Sequence, residues 1–471
     1  NSPPLPVTVL NANPSLRHVP VEFECMADHR PFWKGKWRMR LFRADGREVV
    51  CQEEQPESLL PFNSWRRRIS FIDDLPGVGV SRYYLKAFEE RGHVRREMNS
   101  EGRPAELRRS ARSRDSDKYP GRVAFRVDPA TGLVTSLKTA GSPRSLAGTL
   151  FEPLVIEDTA DSWGTGRGSY RKIVGRFKSS CRPLVIEHGP VRTVTRSILT
   201  YRNSRIVMDV VAYPSWPVLE FRFRITWNEE RRRLKLGVSA TLSAPTLLAE
   251  VPGGAIRRPA DGEEHVHGRW LVVEGRSGGR PMAIGVASSG QHGVDFKDGE
   301  LRLSILRSSA YCHEQGFDLD AAMGTCSQAW KFADIGVHEF RLLVTAGGPL
   351  PVMSMMPGLA DHLAAPPAAY AHLPYDIKQV QAVESLLSLK PCSIRMLACK
   401  RSWDGEALIV RLQEAVGKKT KAELKIWPPT SQERGHVPDG HVPLSFKAFE
   451  IKTLRIEKSG SWRAVRMIEE E

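Results

Sequence analysis

The sequence predicts an all-β protein made of several sandwich-type units, and three observations carry that expectation. Apolar and polar residues alternate through "PVTVLNANPSLRHVPVEFECMA", "SRIVMDVVAYPSWPVLEFRFRITW" and "RRLKLGVSATLSA", the period-two pattern of strands with one buried face. Gly and Pro pairs interrupt these runs at short intervals, as the turns of a sandwich do. Helical periodicity is scarce, with "IKQVQAVESLL" (377–387) a short candidate.

At 471 residues the chain is too long for one ordinary core, so several domains are expected. Residues 1–92 read as an N-terminal β-sandwich unit ending in "ISFIDDLPGVGVSRYYLKAF", and 93–120 as an Arg-rich linker. The large central β region spans 121–350, from "GRVAFRVDPATGLVTSL" to "GVHEFRLLVTAGG". Residues 351–375 are small, apolar and rich in Pro and Ala, which reads as a connector. Residues 376–471 close the chain as a C-terminal β-sandwich unit. Within these units Thr131-Gly132 supplies a tight turn, since Gly tolerates positive φ. Gly189-Pro190 ends one strand and begins the next. Trp216, set between two prolines, suits a bulged or edge position.

The formal charge of +15 draws attention to anionic partners. The densest basic run, 91–122, interleaves Glu and Asp and reads as a solvated segment, so nucleic acid is not an expected partner. No run approaches the ~20 apolar residues that span a bilayer, and no membrane partner is expected. The seven cysteines (Cys25, Cys51, Cys181, Cys312, Cys326, Cys392 and Cys399) are odd in number and irregularly spaced, without C-x-x-C. Reduced thiols in a cytoplasmic protein fit better than a disulfide framework or a zinc ribbon. The opening Asn1-Ser2-Pro3-Pro4 shows no leader pattern and, without a methionine, is compatible with a piece of a longer product.

His265-Val-His267, directly after Glu263-Glu264, raises the question of a metal. Residues two apart on a strand share a face, so two imidazoles are weak candidates for one zinc. A third ligand from Glu263, His292 or His313 has no diagnostic spacing, and partly exposed strand histidines are the expected reading. Asp73-Asp74 and Glu263-Glu264 are adjacent and so point opposite ways, unlike the facing carboxylates of glycoside hydrolysis. Asp73-Asp74 precede Pro76 and read as turn residues. Asp318 and Asp320 in "FDLDAA" read as a solvated loop. Gly164, Gly166 and Gly168 in "GTGRGSYRK" lack the dinucleotide spacing and the phosphate-binding lysine, and read as a flexible loop. A serine-hydrolase elbow of the G-x-S-x-G type is not expected.

Taken in order, several stretches resemble the C-terminal half of glycoside hydrolase family 38, the zinc-dependent α-mannosidases. They are "NSWRRRISFIDDLPGVGVSRYYLKAF", "VAFRVDPATGLVTSL", "DTADSWGTG", "VIEHGPVRTVTRSILTYRNSRIVMDVVAYPSWPVLEFRFRITW", "IRRPADGEEHVHGRW", "LRLSILRS", "IGVHEFRLLV", "GEALIVRLQEAVGKKTKAEL" and "FKAFEIKTLRI". The resemblance implies a large β-supersandwich, galactose-mutarotase-like, for 121–350, flanked by smaller β-sandwich units. It also implies that zinc and the nucleophilic aspartate sit on a separate N-terminal domain with a His-x-Asp-x-x-Trp type motif. No His-x-Asp occurs in this chain. The implied role is the non-catalytic C-terminal half of an α-mannosidase, inactive alone. Its partners would be the catalytic domain and carbohydrate, with zinc bound in the catalytic domain and no cofactor in this chain.

Arg307 in "LSILRS" and Trp163 in "DSWGTGRG" are the substrate-facing candidates on this resemblance, with an ion pair and loop packing as their structural alternatives. The stretch holding His265 and His267 falls where the family has no zinc ligand. A stand-alone carbohydrate-binding protein is the rival reading. An epimerase pairing His265 or His313 with Glu264 or Glu314 is a third. A half that packs on a catalytic domain is expected to leave an apolar patch exposed.

Overall fold

Alternation in the central region becomes two antiparallel sheets packed face to face. The structure is a computed structural model that describes residues 4–26, 37–56, 66–89, 123–310 (except 140–141, 143, 161–162 and 164–167), 332–372, 383–426 and 440–469. The expected linker 93–120 lies outside the described residues, as do His313, Glu314, Asp318 and Asp320.

The smaller central sheet runs in the order His265–Val266, Gly293–Lys297, Glu300–Arg307, Arg232–Ala240, Ala147–Glu157, Val134–Thr139 and Val123–Val127, with Ile173–Arg176 beside Ala147–Glu157. The larger has ten strands. Its path runs from Lys178–Ser179 through Thr193–Tyr201, Ser204–Ala212, Leu219–Trp227, Gly336–Gly347, Arg280–Ser288, Trp270–Ser277 and Ser243–Val251 to Gly254–Arg258. Between them lies a core in which Leu234, Leu236 and Val238 meet Phe221, Phe223, Ile225 and Trp227. Its aromatic rings interlock, Phe151 edge-on to Phe221 at 4.7 Å and Phe223 stacked on Phe340 at 4.9 Å. The all-β expectation holds. Gly132 takes φ +72° in the turn expected there.

The outer face of the ten-stranded sheet is buried as well. Leu5, Val7, Val19, Phe71 and Leu85 of the N-terminal unit share one core with Trp270, Val272 and Leu343 of that sheet. Double-sided burial explains runs such as "WLVV" and "RLLVTA", where the polar partner of the alternation is missing.

The remainder of this face is covered by a helix, Pro349–Ala364, where the sequence reading placed a connector. Val352, Met356, Leu359, Ala360 and Leu363 are buried at helical spacing. Pro349 and Pro351 fall in the first turn, where a missing N–H costs nothing. Gly285 makes room for it: a Cβ there would lie 2.4 Å from Met356 Sδ. It is the one helix among the described residues.

The candidate helix 377–387 also needs correction. Its described part is extended: Val383–Ser385 pairs with Gly79–Ser81, and Leu387–Lys390 begins another sheet. Pairing to an available strand edge overrides the local pattern. Trp216 sits in the turn between Ser204–Ala212 and Leu219–Trp227, buried, its ring against Tyr213 at 5.4 Å and His362 at 5.5 Å. It is therefore a core residue rather than an edge one. Asp73 is likewise no simple turn residue: buried at the end of strand Arg66–Asp74, it bonds Arg43 and accepts from Tyr83 at 2.9 Å.

Charged side chains fasten the N-terminal unit to the ten-stranded sheet. The Arg192 guanidinium, 1% exposed, bridges Glu22 and Glu187, and Arg68 adds a second cation on Glu187. Burial works against the Glu22 carboxylate, but Arg222 and Arg192 outweigh it and hold its pKa below the usual value of 4.5. The C-terminal unit is two small sheets around Leu389, Ile394, Val410, Leu412, Leu424 and Leu454. It meets the N-terminal unit at Gly77, where a Cβ would come within 2.6 Å of the Leu387 carbonyl oxygen and 2.8 Å of that of Pro14.

Two expectations follow. Gly77→Ala forces backbone against backbone and destabilises the protein by about 1–3 kcal/mol, read as a lower Tm. Arg192→Met leaves Glu22 and Glu187 short of a buried partner and costs roughly 3 kcal/mol at pH 7. Glu22 has a folded pKa below its unfolded one. Its stabilisation is therefore present above pH 4.5 and lost as the pH falls. The difference in Tm between wild type and Arg192→Met accordingly narrows in acid.

Candidate functional site

The outward face of the eight-stranded sheet collects the charges that its inward face excludes. On Arg232–Ala240, the positions between Leu234, Leu236 and Val238 are Arg233, Lys235, Gly237 and Ser239. On Glu300–Arg307, Arg302, Ser304 and Arg307 lie opposite them, across a bulge, pairing with Gly237, Lys235 and Arg233. Asp295 comes from Gly293–Lys297, opposite Arg302. The result is a charged cluster that no short motif encodes.

Arg233 and Arg307 stand directly across from each other, a like-charge pairing that is unfavourable unless answered. Asp158, fully buried, answers both. Arg307 grips it with two nitrogens at 2.6 and 3.2 Å, and Arg233 donates at 3.3 Å. The Tyr170 ring lies 3.6 Å from the Arg233 guanidinium carbon and 5.8 Å from that of Arg307, capping the pair. The Lys235 ammonium, fully buried, contacts Asp295 at 2.5 Å and also bonds Glu264. Glu264 further receives Ser304 Oγ and, at 3.2 Å, Arg233. Arg171 closes the far side on Asp295 and, at 3.2 Å, Glu300. Burial raises the Asp295 pKa even between Lys235 and Arg171. Each carboxylate faces at least one cation, so the cluster anchors strands and loops and contains no isolated acid or nucleophile.

The cluster unites two stretches that the sequence reading kept apart. The end of the Gly-rich loop lies on the segment before His265: the Glu264 amide donates to the Gly168 carbonyl at 2.7 Å, and Ser169 Oγ donates to that of Gly262 at 3.2 Å. The adjacent glutamates separate as expected, Glu263 exposed and Glu264 turned into the cluster. Arg307 is held in an ion pair with Asp158. Trp163 is 76% exposed on the loop that follows Asp158.

His265 and His267 are not brought onto one ligand. The strand is only His265–Val266, and His265 bonds the Asp261 carboxylate at 3.1 Å. The His267 ring is buried, neither nitrogen has a hydrogen-bond partner among the described residues, and the His292 ring lies 6.2 Å away. Among the described residues no group of three or more His, Cys, Asp or Glu side chains is placed to hold a metal ion. The zinc that the family resemblance implies thus finds no fitting ligand set in the described part of this chain.

A G-x-S-x-G string does occur, Gly275-Arg276-Ser277-Gly278-Gly279. It is the hairpin between Trp270–Ser277 and Arg280–Ser288, with Gly278 and Gly279 at φ +58° and +78°. Ser277 is buried against Ser142 at 3.2 Å, and a strand follows where an elbow needs a helix.

Residues 120–315 match the family model described as the glycosyl hydrolases family 38 C-terminal domain. That central segment is similar to the family 38 C-terminal domain. Every member of the charged cluster lies within the matched segment. Two solved structures share the fold along 96% of this chain: an alpha-mannosidase from Enterococcus faecalis V583 and a protein in the Glycosyl Hydrolase Family 38 from Enterococcus faecalis. Both are 12% identical to it, with TM-scores of 0.68. It covers 56% and 58% of them, so the chain spans a little over half the length of these family 38 structures. No curated protein matches its sequence.

Burial of His267, reinforced by His292, lowers its pKa from 6.5 to about 4. The folded state then binds fewer protons than the unfolded one between those values. Its contribution is intact above pH 6.5 and declines as the pH falls toward 4, by about 3 kcal/mol in all. His267→Leu flattens the loss of Tm between pH 6.5 and 4, as thermal unfolding across that range will show.

Proposed function

We propose that this chain is the C-terminal, non-catalytic half of an α-mannosidase. It packs on a separate catalytic domain and shapes the cleft in which α-mannosides of glycans or oligosaccharides are hydrolysed. The observation that carries this reading is the family 38 C-terminal domain match, in a chain whose fold accounts for little more than half of the family 38 structures it resembles. Zinc and the nucleophile belong to the other domain.

An exposed edge supports a docking role. Strand Leu184–His188 pairs on one side with Thr193–Tyr201 and leaves Leu184, Val185 and Ile186 exposed by 57%, 49% and 39%. Consecutive exposed apolar residues on an edge strand suit a surface that another domain covers. Arg307, part-buried on Asp158, and the exposed Trp163 are the positions through which this half would reach carbohydrate. The cytoplasmic reading rests on free thiols at Cys25, Cys51, Cys181, Cys392 and Cys399. Burial pushes Cys25 up to about 12 and Cys51 to about 11, which keeps both unreactive.

The test is reconstitution. The isolated chain should not release nitrophenol from 4-nitrophenyl α-mannoside. A family 38 catalytic domain carrying the His-x-Asp motif should bind it and gain activity from it. Val185→Lys should weaken that association about tenfold without lowering Tm. Hydrolysis by the isolated chain, or no association with a catalytic domain, overturns the reading.

A further inference from the structure

A cavity of about 420 Å³ lies where the N-terminal unit meets the C-terminal one. One wall is made by the turn at Ala44–Arg47 and the segment Asp74–Gly77. The opposite wall is the face of Leu387–Lys390 and Thr420–Ile426, where register sets Lys390 across from Glu423 and Ser388 across from Lys425. All of these residues lie outside the segment matched to family 38.

Six cations line the cavity: Arg17, Arg43, Arg47, Arg82, Lys390 and Lys425. Its carboxylates are already engaged. Asp45 holds Arg47 at 2.6 Å, Asp74 holds His18 at 2.8 Å, and Glu423 holds His441 at 2.6 Å. Arg43 is taken by Asp73 from behind. Among the described residues Arg17 donates to the Leu75 carbonyl at 2.7 Å, and Arg82 to Thr8 Oγ1 at 2.7 Å. Arg17, Arg82 and Lys390 therefore have no carboxylate partner among the described residues. Ser388, itself buried, adds a hydroxyl to the same wall.

Cations gathered in a cleft concentrate positive potential and draw anions into it. Donors here come from two walls and three side-chain types. A flat carboxylate meets only part of such a set, whereas a tetrahedral group with three terminal oxygens accepts from several directions at once. The volume also falls within the range of small-ligand sites.

We propose that this cleft binds the phosphate or sulfate ester group of a small ligand. The anion bridges Lys390 of the C-terminal unit and Arg17 and Arg82 of the N-terminal unit, and so also ties the two units together.

Titration calorimetry on the full chain at low salt tests this, with inorganic phosphate, inorganic sulfate, mannose 6-phosphate, glucuronate and uncharged mannose as probes. Saturable binding of mannose 6-phosphate or of the inorganic anions, one per chain, is expected, and it raises Tm. Comparison of the two inorganic anions separates phosphate from sulfate. Lys390→Gln and Arg82→Gln each weaken binding about tenfold, while Lys390→Arg retains it. Unfolding curves of the free variants show that they remain folded. Absence of saturable binding overturns the proposal. So does equal binding by wild type and both Gln variants, or glucuronate or mannose binding as tightly as the ester. None of these outcomes bears on α-mannosidase reconstitution, so the two readings fail separately.

Discussion

Burial of the ten-stranded sheet on both faces is the constraint from which the rest of the architecture follows. One face closes against the eight-stranded sheet through Phe221, Phe223 and Trp227. The other closes against the N-terminal unit and the helix through Trp270, Val272 and Leu343. A sheet this apolar on both sides has no stable solvated form, because each uncovered face would expose a patch far larger than soluble monomers carry. The N-terminal unit and the helix are thus part of the same folding problem as the central domain.

Apolar burial sets the layers, and buried charges set how they sit. Glu220 shows how. Burial alone would raise its pKa, yet Arg222 and Arg341 hold it far below the usual carboxylate range, and Tyr213 donates to it at 2.7 Å. Buried pairs of this kind add little net stability over an apolar core, since desolvation consumes most of the Coulombic gain. A shifted register would strand a charge in the interior, so they penalise wrong docking strongly. The Asp158–Arg233–Arg307 group does the same for the far sheet. There the alternation is so strict that a slip of one residue would move Lys235 into the core and Leu236 out of it.

Period two was legible wherever only one face of a strand is buried, as in Arg232–Ala240, and the family resemblance rested on such strands and their turns. The helix Pro349–Ala364 was not legible. Three prolines and several small residues look like a connector, and its buried stripe has meaning only against Gly285. The charged cluster was hidden for a different reason. Asp158, Arg233, Glu264, Asp295 and Arg307 are scattered over 150 residues of chain, and only the order of the strands brings them together. Arg307 was visible through the resemblance, but its partner Asp158 was not. His265-Val-His267 was a weak metal candidate in the sequence, and its geometry was not legible there. A same-face pair needs a strand longer than the two residues found there.

His267 nonetheless holds a position that the metal question obscured. It lies between Glu264, in the charged cluster, and Arg269, whose side chain reaches Glu250 at 3.2 Å and the helix residue Asp361 at 2.7 Å. Arg395 of the C-terminal unit grips the same two carboxylates at 3.4 and 3.1 Å. The central sheets, the helix and the C-terminal unit therefore meet within two residues of one buried, uncharged imidazole. A proton placed there would set a buried charge beside His292 at the junction, and the least costly relief is to loosen one of its walls. Acid acts on this fold from two sides: carboxylates that must stay charged hold the N-terminal unit, and an imidazole that must stay neutral sits where the C-terminal unit is tied on.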